Sequence, residues 1–314
     1  MSKIAFIFPG QGSQSVGMGS QLAGVYPEVK AIFDKADEKL GISLSSIIFE
    51  GPQDQLTLTV NTQPALLTTS MAIYEKFKQA GIIPNYVAGH SLGEYTALVA
   101  AESISFEDGV YAVRKRGEYM EEAVPAGLGA MAAVLGITEE LLEEITAEVT
   151  REGNPVQLAN LNCPGQIVIS GSAKGVELAS ASAKERGAKR VIPLEVSGPF
   201  HSSLMQPAAE KLKATLDEIQ IHEAKVPVIA NVSALPMTEA NMIKEKLVEQ
   251  LYSPVRWQQS VEKMVELGVD TFVEIGPGKV LSGLVKKVDR SLKTFAVYDE
   301  ETLTATIQSL KGEI

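Results

Sequence analysis

Short, wholly apolar runs of strand length alternate along the chain with longer segments whose apolar positions recur every three or four residues. The first run, Ile4, Ala5, Phe6, Ile7 and Phe8, gives way to the Gly-rich stretch Gly10, Gln11, Gly12, Ser13, Gln14. The pattern predicts helices over 27–40 and 63–80, a strand over 86–90 ending in a Gly-flanked turn, and a helix over 92–101. Strands with no polar alternation belong to a parallel sheet covered on both faces, so this order reads as α/β. A further helix is predicted over 106–123, with Ser105 as N-cap and Asp108 three residues on. Phe106, Val110, Val113, Gly117 and Met120 mark its apolar stripe.

After the loop Pro125, Ala126, Gly127 the character changes. Strand 130–135, helix 139–149, strands 156–161 and 166–170, helix 174–186 and strand 190–196 follow in the β-α-β-β-α-β order of a ferredoxin-like unit. The α/β alternation then resumes: helix 204–219, strand 226–230, helices 239–251 and 255–267, strand 271–275, helix 279–288, strand 294–298 and helix 301–311. The expected architecture is an α/β-hydrolase-like large domain with a parallel sheet core, residues 1–124 and 197–314, carrying an inserted ferredoxin-like subdomain at 125–196.

Composition narrows the chemistry. The 314 residues, 45% of them hydrophobic, suffice for two domains with a sizeable core. A single Cys excludes a disulfide scaffold or a cysteine zinc cluster, and three His make a histidine-rich metal site improbable. A net charge of −11 argues against nucleic acid and against an anionic membrane surface. Residues 1–9 lack the basic start and long apolar stretch of a secretory signal, and no apolar run approaches the roughly 18 residues of a membrane span. A cytoplasmic protein is the expectation.

Gly89, His90, Ser91, Leu92, Gly93 matches the G-x-S-x-G nucleophile elbow, placed between a predicted strand and a predicted helix as that motif requires. Flanking glycines are needed because Cβ atoms would clash in so sharp a turn. The Leu92 amide then lies at a helix N-terminus, where it can stabilise an oxyanion, and the Gly-rich loop at Gln11 can supply a second amide. A serine needs a base. His90 lies inside the elbow, and His222 in a charged, surface-like stretch. His201 stands where the inserted unit returns to the main domain, so elimination selects it. The same Gly-rich loop lacks the third glycine of a dinucleotide fingerprint and the Gly-Lys-Ser/Thr of a P-loop, so a nucleotide site is not expected.

Five segments together resemble the malonyl-CoA:acyl carrier protein transacylases of bacterial fatty acid synthesis and the related acyltransferase domains of polyketide synthases. They are Phe8 to Gln14 (Phe-Pro-Gly-Gln-Gly-Ser-Gln); Gly89 to Glu94; Arg116, Gly117 and Met120; Gly198, Pro199, Phe200, His201; and Glu274 to Gly278. The stretch from Asn160 through Asn162 to Gln166, and Gln250, are similar as well. The resemblance implies ping-pong transfer of malonyl from malonyl-CoA to the phosphopantetheine thiol of acyl carrier protein, supplying fatty acid elongation. Ser91 would be acylated, with His201 as base and then acid, and with the Gln11 and Leu92 amides as oxyanion hole. A backbone carbonyl near Gln250 would orient His201, and Arg116 would hold the malonyl carboxylate.

Helical periodicity hardly separates Arg116 from Arg114; the resemblance makes the choice. It also implies that Phe200, the residue before the His, selects malonyl over methylmalonyl, although Gly198 and Pro199 depart from the polyketide form of that motif. No cofactor or metal is expected, since the pantetheine arm belongs to the substrates. An acidic carrier protein docking on an acidic chain needs a local basic patch, for which Lys189, Arg190, Lys286 and Lys287 are the candidates. Two other readings share the elbow or the partner: a serine hydrolase or thioesterase acting on acyl thioesters, and a non-catalytic carrier-protein scaffold.

Overall fold

The computed structural model describes residues 2–125 and 127–313, so the expected loop residue Ala126 and both chain ends lie outside the description. Among the described residues, ten strands form two sheets: β1 (Lys3–Phe8), β2 (Tyr86–Gly89), β3 (Gly129–Leu135), β4 (Val156–Cys163), β5 (Gln166–Ser172), β6 (Arg190–Pro193), β7 (Val228–Ile229), β8 (Pro236–Met237), β9 (Val269–Ile275) and β10 (Lys293–Val297). The larger sheet runs β10-β9-β1-β2-β7-β8, parallel throughout except for the short antiparallel edge β8.

Its centre explains the apolar runs. On β1, Phe6 and Phe8 face the helix Thr59–Phe77, with the Phe6 ring edge-on to Phe77 at 5.4 Å and to Tyr74 at 6.1 Å. Ala5 and Ile7 face the opposite layer, built around Trp257 and the helices Trp257–Glu266 and Val280–Val288. Both faces are dry, hence no alternation. The Glu274 carboxylate, buried at the end of β9, accepts the Leu281 and Ser282 amides at 3.0 and 2.7 Å and so closes the start of the helix Val280–Val288.

The second sheet, β4-β5-β3-β6, is antiparallel, and its two helices, Glu139–Arg151 and Ala173–Glu185, complete the β-α-β-β-α-β unit. It joins the larger body through β4: Leu161 N–H donates to Val255 O at 2.9 Å and Val255 N–H to Ala159 O at 2.8 Å.

The structure corrects several boundaries. The helix expected at 63–80 begins at Thr59 and runs through Pro64. Proline at that position leaves the Val60 carbonyl without its helical donor, and Arg114 Nη1 supplies one at 3.1 Å. The strand expected at 190–196 ends at Pro193, which frees Leu194 and Val196 to line a cavity; the strand expected at 226–230 is two residues long. The helix expected from 204 starts as a 3₁₀ turn, Ser203–Met205, followed by Gln206–Glu218. Helices Ser20–Val25, Leu44–Glu50 and Gln53–Thr57 are too short to leave a periodic signal. The Ser105 cap is present, its Oγ accepting the Asp108 amide at 3.0 Å.

The elbow depends on two glycines. A Cβ on Gly89 would lie 1.9 Å from the Gly93 carbonyl, and one on Gly93 would lie 2.1 Å from Phe8 O. Backbone cannot yield as a side chain can. Gly89→Ala or Gly93→Ala is therefore expected to cost about 3 kcal/mol or more in chemical denaturation. Gly283→Ala, at an exposed position of the helix Val280–Val288 with open space at the Cβ position, should instead stabilise by about 0.5–1 kcal/mol.

Candidate active site

Ser91 is the second of the two residues between β2 and the helix Leu92–Ala100, with φ 52° and ψ −108°. A non-glycine residue adopts this backbone only when its surroundings impose it. Here Ser91 N–H donates to Asn231 Oδ1 at 2.7 Å, while Asn231 Nδ2 donates to Gly89 O at 2.7 Å, stapling both sides of the turn. The Ser91 Oγ is thereby raised off the sheet at the carboxyl end of a parallel strand, where α/β folds place their sites.

His201 reaches Ser91 from the segment after the inserted unit. Its own φ is 59°, a second strained backbone, and its ring is nearly fully buried. Nδ1 lies 2.8 Å from Gln250 O and Nε2 lies 2.8 Å from Ser91 Oγ. A carbonyl only accepts, so Nδ1 carries the hydrogen and Nε2 is left to accept from the serine hydroxyl. Burial first, and then the nearby Arg116 charge, push the imidazole pKa down to about 3. The ring is accordingly neutral at physiological pH and able to take a proton.

Arg116 is almost completely buried. Nη1 donates to Gln63 Oε1 at 2.7 Å, and Nη2 donates to Gln250 Oε1 at 2.8 Å and to Ser91 Oγ at 3.1 Å. The Tyr95 ring lies 5.6 Å beneath the guanidinium. Arg114, which periodicity left level with it, is half-buried and tied to Glu118, Asn61 and the Val60 carbonyl. The two arginines therefore separate completely, and only Arg116 reaches Ser91.

A cavity of about 120 Å³ opens over these groups, with Gln11, Leu92, Met120, Leu194, Val196 and Phe200 among its walls. The Gln11 and Leu92 amides have no acceptor among the described residues, so both are available to an oxyanion. Gln11 Nε2 donates to Thr59 Oγ1 at 3.3 Å, which anchors its loop to the long helix. Phe200 is buried in the apolar wall directly before His201. His90 points elsewhere in the pocket, its Nε2 2.8 Å from Asn162 Oδ1; His222 is exposed.

Gln63 and Asn231 were not singled out in the sequence. Gln63 precedes a proline inside a helix, and Asn231 follows a strand of two residues, so neither stands in a recognisable pattern. Outside the cavity, Lys189, Arg190, Lys286 and Lys287 are exposed and form no ion pair among the described residues. Lys287 Nζ donates to Gln166 Oε1 at 3.0 Å, and Gln166 pairs with Leu135, which pairs in turn with Arg190, so Lys287 is linked to the Arg190 position across the sheet. Among the described residues no helix is long and apolar enough to cross a membrane, and no cluster of three or more His, Cys, Asp and Glu side chains could hold a metal.

Known proteins match this chain in sequence and fold over nearly its whole length. The acyl transferase domain family matches residues 5–308. The malonyl CoA-acyl carrier protein transacylase of Bacillus subtilis is 68% identical over 313 residues, covering 100% of this chain and 99% of that one. The acyl-carrier-protein-S-malonyltransferase of Bartonella henselae superposes with a TM-score of 0.95 at 45% identity, over 98% of this chain and 99% of its own. A malonyl-transacylase solved in complex with its type II PKS acyl-carrier protein superposes equally well, TM-score 0.95 at 43% identity over 98% and 100% of the two chains. On identity of this extent, the chain belongs to the acyl transferase domain family, among the malonyl CoA-acyl carrier protein transacylases.

Proposed function

We propose that the protein transfers the malonyl group of malonyl-CoA to the phosphopantetheine thiol of acyl carrier protein in two steps, through a malonyl ester on Ser91. The observation that carries the reading is the buried guanidinium of Arg116 within 3.1 Å of the nucleophile, which a site for uncharged acyl groups has no use for. In the first step His201 Nε2 accepts the Ser91 proton as Oγ bonds to the thioester carbon. The oxyanion forms against the Gln11 and Leu92 amides, and collapse expels the coenzyme A thiol, which leaves with the proton from His201. The second step reverses the roles: the carrier-protein thiol gives its proton to His201 and attacks the ester, and Ser91 regains its proton. The arm belongs to the substrates, so the enzyme itself needs neither cofactor nor metal.

Arg116 binds the malonyl carboxylate, for which the planar guanidinium suits a paired hydrogen bond. The same cation depresses the basicity of His201. A bound carboxylate cancels that charge, so malonyl raises the proton affinity of the base that must activate Ser91. Gln250 supplies the carbonyl that holds the imidazole tautomer. Phe200 fills the space an α-methyl group would need. Residues 125–196 act as the inserted subdomain that contributes Leu194 and Val196 to the acyl pocket, against a catalytic body of 1–124 and 197–314. Lys189, Arg190, Lys286 and Lys287 form the carrier-protein docking face, and a cytoplasmic location goes with the coenzyme A pool that supplies the substrate.

Brief incubation with malonyl-CoA followed by mass spectrometry should find a malonyl group on the Ser91 peptide, absent in Ser91→Ala and discharged faster by holo acyl carrier protein than by water. Absence of the ester would leave a scaffold, and faster loss to water would make the protein a thioesterase. In the same assay Phe200→Ser should raise methylmalonyl relative to malonyl loading; an unchanged ratio removes Phe200 from selectivity. Charge reversal at Lys189, Arg190, Lys286 and Lys287 should raise the carrier-protein KM about tenfold and leave loading from malonyl-CoA unaltered. Equal effects on both half-reactions would place docking elsewhere.

A further inference from the structure

Glu94, one turn into the helix after the nucleophile, has no part in the chemistry above and is fully buried. No cation among the described residues lies within ion-pair distance of it, and its Oε1 has no hydrogen-bond partner. Burial pushes its carboxyl up to about 7. Such a group costs free energy to hold in the core, so its other oxygen should carry the compensation.

That oxygen, Oε2, accepts from Gln250 Nε2 at 2.7 Å and from the Asn231 amide at 3.2 Å. Gln250 Nε2 also donates to Ser91 O at 3.0 Å, while Gln250 Oε1 accepts from Arg116 Nη2 at 2.8 Å. The side-chain amide of Gln250 has two orientations of nearly equal shape, and its neighbours decide between them. Arg116 offers only donors, and Ser91 O only accepts. With Nε2 toward Glu94, every polar atom of that amide is satisfied. Turned over, Nε2 would confront the guanidinium and Oε1 would confront a carbonyl and a carboxylate. Removing Glu94 leaves the Ser91 carbonyl at 3.0 Å as the main acceptor for Nε2, with Asn231 Oδ1 a poor second at 3.4 Å. Arg116 then keeps Gln63 as its one secure side-chain acceptor from another helix.

We propose that Glu94 is a positioning residue for malonyl recognition: its carboxylate locks the side-chain amide of Gln250, and Gln250 Oε1 in turn aims the Arg116 guanidinium at the acyl group on Ser91. This rests on the reading of Arg116 as the carboxylate partner. Acetyl has no carboxylate, so a lost aim at Arg116 penalises malonyl and spares acetyl. A merely structural loss slows both alike.

The test compares Ser91 loading from malonyl-CoA and acetyl-CoA in the full chain for wild type, Glu94→Leu, Glu94→Gln and Gln250→Leu, with thermal melts beside each. Glu94→Leu should lower malonyl kcat/KM about 30-fold or more and acetyl loading by no more than about threefold. Glu94→Gln, whose Oε1 still accepts both donors, should recover malonyl loading to within about fivefold of wild type. Gln250→Leu should lose the same selectivity, and adding Glu94→Leu to it should cost nothing more, as expected of residues that act as one unit. Equal slowing of both substrates, an additive double variant, or failure of Glu94→Gln to recover activity would overturn the proposal. If Glu94→Leu does not fold, retained selectivity in Gln250→Leu overturns it equally. Wild type that forms no malonyl ester would instead bring down the functional reading itself.

Discussion

A buried cation beside a neutral base organises this structure. Arg116 and His201 both approach Ser91 Oγ, one donating to it and one accepting from it, at 3.1 and 2.8 Å. Charge without a counter-charge in the core is costly, and the cost is offset by side-chain oxygens delivered from separate elements: Gln63 from the helix Thr59–Phe77, Gln250 from the end of the helix Ala240–Gln250, and Ser91 from the elbow. The Tyr95 ring adds a favourable face beneath the guanidinium. Three segments distant in sequence thus converge on the helix that carries Arg116, and the fold has to bring them there together.

The base is held as firmly as the cation. Gln250 serves both, its backbone carbonyl taking His201 Nδ1–H and its side-chain oxygen taking Arg116. On the other side, Gln157 of β4 donates to His201 O and Tyr252 O, each at 3.3 Å, and accepts the Ser203 amide at 2.9 Å. The antiparallel sheet therefore braces the segment that gives His201 its unusual backbone, besides furnishing one wall of the pocket. Strain at Ser91 and at His201 is maintained from outside by amide side chains, Asn231 at the first and Gln157 at the second.

Much of this was legible before any coordinates. The apolar runs gave the parallel strands because both faces of β1 are covered, and the elbow glycines announced themselves because no Cβ fits there. His201 followed from there being three histidines. Arg116 did not follow from the residues alone: a helical stripe reports which face is buried, whereas a buried arginine on the flank of that stripe depends on acceptors from other helices. Resemblance supplied it, and packing explains it. Gln63 and Asn231 stayed hidden for the same reason, since an amide's role depends on what it meets across space. Pro64 concealed the first turn of its helix because a proline there ordinarily marks an end, and the compensating donor, Arg114, lies 50 residues on in another helix.

The central claim is that burial and the Arg116 charge keep the His201 imidazole neutral until substrate arrives. Nitrogen NMR of the His201 ring across pH measures this directly. The account predicts a neutral ring with hydrogen on Nδ1, titrating far below the ordinary histidine value, near a pKa of about 3. Removing the neighbouring cation favours imidazolium, so Arg116→Ala should move the midpoint upward. A wild-type midpoint at the ordinary value of about 6.5, unmoved by Arg116→Ala, would contradict it.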